Sequence, residues 1–146
     1  MRQLIFSTNN DWVGVVLRLT LGIVMFPHGA QKQLGWFGGP GFTNEMAHLQ
    51  HLNIPWIVAL LVIFIEFFGA ASLILGFASR IWAIAFIILF IGIIFTAHLQ
   101  YGFFMNWFGK QQGEGYEYHL LVIGLAIAIL LNGSGKLSLD NLIANR

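Results

Sequence analysis

Apolar residues fall into four blocks, at about 12–34, 55–77, 80–101 and 117–132, separated by polar or glycine-rich breaks. A helix needs about 20 residues to cross the roughly 30 Å hydrocarbon layer. The first three blocks meet that length, and the fourth does so only if Tyr116 and Gly133 to Gly135 extend its ends. Within lipid the backbone must satisfy its own hydrogen bonds, so each block is predicted to be a helix. Pro55 suits the first turn of the second, where a missing N–H costs nothing. The connection FASR, Phe77 to Arg80, is so tight that the second and third helices must be antiparallel neighbours. In the long connection after the first block, Phe42, Met46 and Leu49 recur at i, i+4 and i+7. That spacing predicts a short helix lying at the membrane interface. The expected fold is all-α: one domain over 1–146, an integral membrane bundle of four transmembrane helices with a short interfacial helix between the first two.

Composition strengthens this reading. Of 146 residues, 58% are hydrophobic and 9% charged, against about 25% charged in a soluble domain. So few charges cannot cover a surface, and lipid must cover part of it. A net charge of +1 gives no reason to expect a nucleic-acid partner. The absence of cysteine removes disulfides, thiolate ligands and thiol redox chemistry from this chain. Arg2 stands alone before a first apolar run too long for a signal core, and no small-x-small cleavage site follows, so that run is expected to be retained. Arg2, Arg80, Lys136 and Arg146 fall on one side of the predicted spans, with Lys32 and Lys110 on the other. That excess predicts both termini in the cytoplasm.

Ionisable residues inside a span cost about 2.5–3.5 kcal/mol each at a helix centre, so each needs a partner, an escape or a function. Arg18 lies about 10 Å into the first helix and Glu66 near the middle of the second, depths differing by about 6 Å. The long Arg18 side chain could snorkel to the cytoplasmic surface, whereas Glu66 is too short to do so, and an Arg18–Glu66 ion pair is sterically reasonable. It has two readings: a structural pair fixing helix register, or a carboxyl group that binds a proton or a polar ligand head. At about 100° per residue, Arg18, His28 and Lys32 fall within an arc of about 80°. Asp11, Gly14, Gly22, Met25 and Gly29 share or border that face, a polar stripe among small residues that should look into a bundle. Pro27 cannot donate to the Ile23 carbonyl and should bend the helix. His28 and Lys32 are then either part of a polar pocket or anchors at the outer end.

His98 closes the third span, and Glu117 and His119 open the fourth. The last two point about 200° apart, and Glu117 shares its face with Gly124 and Ala128, so Glu117 is favoured over His119. His28, His98, His119 and Glu117 are of the types that ligate zinc or non-haem iron, and two histidines on different helices could hold a haem. No HExxH or ExxH spacing supports either. His48 and His51 are placed in a loop, where solvation accounts for them. No GxSxG elbow is present, and GWFGGPG follows no strand and precedes no GK[ST], which rejects a phosphate loop. The cluster FFMNWF, Phe103 to Phe108, either lines a flat ligand pocket or anchors the chain at the interface.

RLTLGIVMFPHGAQK, EFFGAASLILGFASR, HLQYGFF and EYHLLVIGLAIAILLNGSGKLSLD follow one another in an order that resembles the DoxX family of small four-helix membrane proteins. The resemblance runs from about Arg18 to Asp140, with GSGKLSLD its most specific part. Ala70 departs from it, standing where a second glycine is frequent. The resemblance implies a bacterial inner-membrane protein associated with quinone-linked complexes and oxidoreductase partners. It leads to the expectation of a quinone- or quinol-interacting subunit in a quinone-linked oxidoreductase system, with its electrons coming from a redox partner protein. His28, Glu66 and Glu117 are expected to bond the ring oxygens or carry protons, Arg18 to hold Glu66, and Lys32, His98 and His119 to complete the ligand site. Two alternatives stand beside it: a non-enzymatic anchor or assembly subunit, and a small proton-coupled carrier, which would need a homo-oligomer.

Overall fold

A computed structural model describes residues 6–145. Arg2 and Arg146, two of the four charges behind the predicted orientation, lie outside them. Every element among the described residues is helical. Helix α1 spans Trp12–Leu34, the short α2 Gly41–His51, α3 Trp56–Leu75, α4 Ser79–Tyr101, α5 Glu117–Asn132 and α6 Leu139–Ala144. By length and hydropathy α1, α3 and α4 can each cross a membrane, while α5 is apolar but shorter.

Local chemistry sets the boundaries. Asp11 caps α1 through a bond from Gly14 N to its carboxylate, and Gly35 ends the helix at positive φ. α1 runs through Pro27 without a break. α3 stops at Gly76 (φ +67°), where a Cβ would strike Ser138. The chain restarts at Ser79, so α3 and α4 are joined by the tight turn that FASR predicts. α2 forms where the 42/46/49 spacing predicts a helix; Met46 and Leu49 are buried and Phe42 remains exposed. His48 and His51 lie on α2 rather than in a loop, both exposed.

The core is built from Leu21 and Met25 of α1, Ile63 and Leu73 of α3, Phe86 of α4 and Ile129 of α5. The buried face of α1 includes Gly14, Arg18, Gly22, Met25 and Gly29, the small-and-polar stripe the sequence predicts. α5 turns the other way from expectation: it buries His119, Val122, Ala126 and Ile129, and Gly124 is exposed. The reason is its densest neighbour, α4, whose Phe90 ring meets the His119 ring at 5.5 Å. Many large side chains, Ile88, Phe95, Leu121 and Leu131 among them, face outward. In water such a surface would be untenable; it is what lipid requires.

Both described termini meet at one end, where Asn9 N bonds Asn132 O and Lys136 N bonds Asp11 O. The opposite end carries the connections 35–55 and 102–116.

Candidate functional site

The two ends do different work with their charges. At the terminal end Arg18, 3% exposed, donates only to backbone carbonyls: Ser134 at 2.9 Å, Leu137 at 2.8 Å, Lys136 and Leu73 at 3.3 Å, and Ile74. The Leu73 and Ile74 carbonyls belong to the last turn of α3, at the negative end of the helix dipole, and Leu73 O also accepts from Gly76 N at 3.1 Å. Asp140 mirrors this, accepting from Ala78 N at 2.6 Å and Ser79 N at 3.0 Å at the start of α4, and from the Ser134 hydroxyl. GSGKLSLD is thus a clasp that satisfies two buried helix ends.

The expected Arg18–Glu66 pair is not formed. Level with Glu66 on α1 stands Gly29, where a Cβ would come within 2.5 Å of the Glu66 carbonyl. Lys32, one turn further along, reaches Glu66 instead, Nζ to Oε1 at 2.7 Å. Depth counted from each helix start ignores the stagger between helices, which sets Gly29 rather than Arg18 beside Glu66.

Around this ion pair lies a cavity of ≈460 Å³ at the loop end, lined by His28, Lys32, Glu66, His98, Tyr118 and His119, with Glu114 at its edge. Met25, Phe90, Ile93 and Met105 supply apolar wall. Two polar atoms of its lining side chains are buried without a hydrogen-bond partner, Glu66 Oε2 and His119 Nδ1. Glu66 is 2% exposed and His119 6%. The His119 and His98 rings are 4.2 Å apart, and His98 Nδ1 lies 2.8 Å from the Glu114 carbonyl. Tyr118 OH rests against Met25 Sδ at 3.5 Å.

Backbone irregularity coincides with the site. α3 widens to a π-helical turn over Ile65–Gly69, carrying Glu66, and α4 does so over Ile94–His98, ending on His98. Such turns are rare and concentrate at functional sites. A fixed 100° rotation cannot anticipate them.

Of the candidate residues, His28, Lys32, Glu66, His98 and His119 share the cavity, with His28 at its exposed side. Arg18 is at the other end. Glu117 lies beside the cavity rather than lining it: its Oε1 accepts from Met105 N at 2.9 Å and Trp107 Nε1 at 3.2 Å, so it holds the loop that brings Met105 over the cavity. Tyr118 was missed by sequence reasoning, although it lies between two candidates. The Phe103–Phe108 aromatics face outward, with Trp107 79% and Phe108 87% exposed. No group of three or more His, Asp or Glu side chains among the described residues is placed to hold a metal ion.

Apolar helices of spanning length around a charged, partly unsatisfied cavity define a small integral membrane protein. The DoxX family model matches residues 14–99, and the chain belongs to that family. α5 and the clasp lie beyond the matched residues. A Bacillus subtilis (strain 168) protein named "Putative oxidoreductase CatD" is 30% identical over 126 residues, 86% of this chain and 83% of that protein. No solved structure matches the chain.

Proposed function

We propose that this protein binds a quinone or quinol in the loop-end cavity, as the membrane subunit of a redox system whose electrons come from a partner oxidoreductase. One observation carries the reading: two side chains that line one cavity, Glu66 and His119, each hold a buried polar atom, Oε2 and Nδ1, with no hydrogen-bond partner. Leaving a buried polar atom unpaired costs about 1–3 kcal/mol, more when charged, and a ring hydroxyl donating to Oε2 relieves that cost at Glu66. The relative's name supports redox work, and family membership agrees with it. The chain itself has no cysteine to hold electrons, which is why a partner is part of the proposal.

The residues fit such a ring. Lys32 Nζ has N–H groups beyond the one given to Glu66, and the Tyr118 hydroxyl is a further donor. Glu66 Oε2 can accept a hydrogen bond from a ring hydroxyl, and His119 Nδ1 can bond a second ring oxygen. Phe90, Ile93 and the two methionines exclude water and pack on a flat apolar ring. When bound, a quinone supplies the two-electron, two-proton chemistry that these side chains lack. In this proposal α1, α3, α4 and α5 all span a bacterial inner membrane with both termini cytoplasmic. The excess of Arg2, Arg80, Lys136 and Arg146 over Lys32 and Lys110 along the sequence supports that orientation.

The test is mass spectrometry of an organic extract of protein purified in mild detergent, read together with its visible spectrum. Stoichiometric quinone in the wild type and its depletion in Glu66→Gln at equal protein are expected. Only bulk lipid in both preparations would overturn the reading and favour an anchoring subunit; a Soret band would replace quinone with haem.

A further inference from the structure

Glu66 has a second consequence, which rests on the quinone reading: the cavity distinguishes the two redox forms of its ligand. We infer that Glu66 Oε2 makes the site specific for a ring that presents a hydroxyl, the quinol form, over the quinone.

A carboxylate has no proton to give and can only accept. Glu66 is held in an ion pair, its Oε1 accepting from Lys32 Nζ at 2.7 Å. Its other oxygen is buried with no donor. Gly29 packs against the Glu66 backbone, the π-turn carries the side chain, and the residue is 2% exposed. The charged and titratable groups facing it are His28 and Lys32 of α1, His98 of α4, Tyr118 and His119 of α5, and Glu114 of the loop. Of these, only Lys32 is bonded to the carboxylate, on the Oε1 side.

A quinol hydroxyl donates to Oε2 and completes it with a charge-assisted bond. A quinone carbonyl offers only lone pairs, which would face the carboxylate's own. Sites built to bond a hydroxyl reject analogues without it far more strongly than apolar pockets reject a change of size. Ligand shape does not make this distinction, since both forms are flat rings of nearly equal size. The discrimination belongs to a single oxygen atom, and Glu66 is the residue that sets it.

The experiment compares three ligands on the full chain in detergent under anaerobic conditions: a short-chain benzoquinol, its quinone and its dimethyl ether. Equilibrium dialysis gives the three dissociation constants for wild type and Glu66→Gln. In wild type the quinol is expected to bind at least about tenfold tighter than the other two, the least that a bond to a charged group is worth. In Glu66→Gln the gap between quinol and quinone should close, because the amide can donate to a carbonyl. Equal binding of all three by wild type would overturn the inference, leave the ring site standing, and assign Oε2 to a water. Tighter quinone binding would overturn it too. If none of the three binds, the quinone reading falls with it. The wild-type comparison needs no variant, so a poorly folding Glu66→Gln would not shelter the inference.

Discussion

Arg18 is the residue on which sequence and structure disagree most sharply, and replacing it separates the two accounts. Arg18→Met keeps the length and apolar stem of the side chain but removes the guanidinium. The Ser134, Leu137 and Ile74 carbonyls, which hold its three shortest bonds, then lose their donor. Each unmade buried bond costs about 1–3 kcal/mol. Neighbouring losses do not add fully, so a total of about 4 kcal/mol is expected, in the upper tail of single substitutions. At about 2–4 °C per kcal/mol for a chain of this size, melting should fall by about 10 °C. Far-UV circular dichroism of purified protein in detergent measures it. Arg18→Lys should recover only part, because one ammonium cannot reach carbonyls from the end of α3 and from the 134–137 segment together. Ligand content per folded molecule should hold in Arg18→Met and drop in Lys32→Met. A melting point within about 2 °C of wild type, with ligand lost as in Lys32→Met, would refute the clasp and restore an Arg18–Glu66 link.

Gly29→Ala places a Cβ 2.5 Å from the Glu66 carbonyl and should force α1 off α3; overpacking of this kind costs about 1–3 kcal/mol, read as a lower melting point together with lost ligand. Glu117→Ala releases Met105 N and Trp107 Nε1; faster proteolysis within 102–116 and a shifted tryptophan emission, with little change in melting, are expected. Asp11 caps α1, and its bond from Gly14 N, followed by that from Asn132, holds its carboxyl below the ordinary value of 3.8. With the folded value below the unfolded one, its contribution is complete above about pH 4 and disappears as pH falls through the folded value. The melting difference between wild type and Asp11→Ala should therefore shrink on acidification below pH 4, and a difference unchanged down to pH 2 would contradict the cap.

The site was half legible before the fold was known. Glu66, Lys32 and His28 stand out because a charge in an apolar block is conspicuous on its own. His98 does so by closing a span. Their grouping into one cavity, and the exclusion of Arg18 from it, were not legible. Gly124 and Ala128 suggest a packing face for α5 that favours Glu117 over His119, whereas contact with α4 buries the face of His119, Val122 and Ala126. GSGKLSLD was conspicuous as a motif, but nothing in it announces that its carbonyls surround an arginine more than a hundred residues earlier.

What the chain determines unaided is local: the apolar lengths that make α1, α3 and α4, the Asp11 cap, the tight FASR connection, and the stripe along α1. Each depends on neighbours within a few residues, where hydropathy and steric rules act directly. The tertiary structure alone decides the rest. Which charge meets Glu66 depends on how far α1 slides along α3, set by Gly29 fitting against the Glu66 backbone. The π-turns at Glu66 and His98 shift side chains off the regular helical phase. Whether an acceptor such as Oε2 finds a donor depends on every element packed around it, so the unmet bond at the centre of the site becomes visible only when all of them are in place.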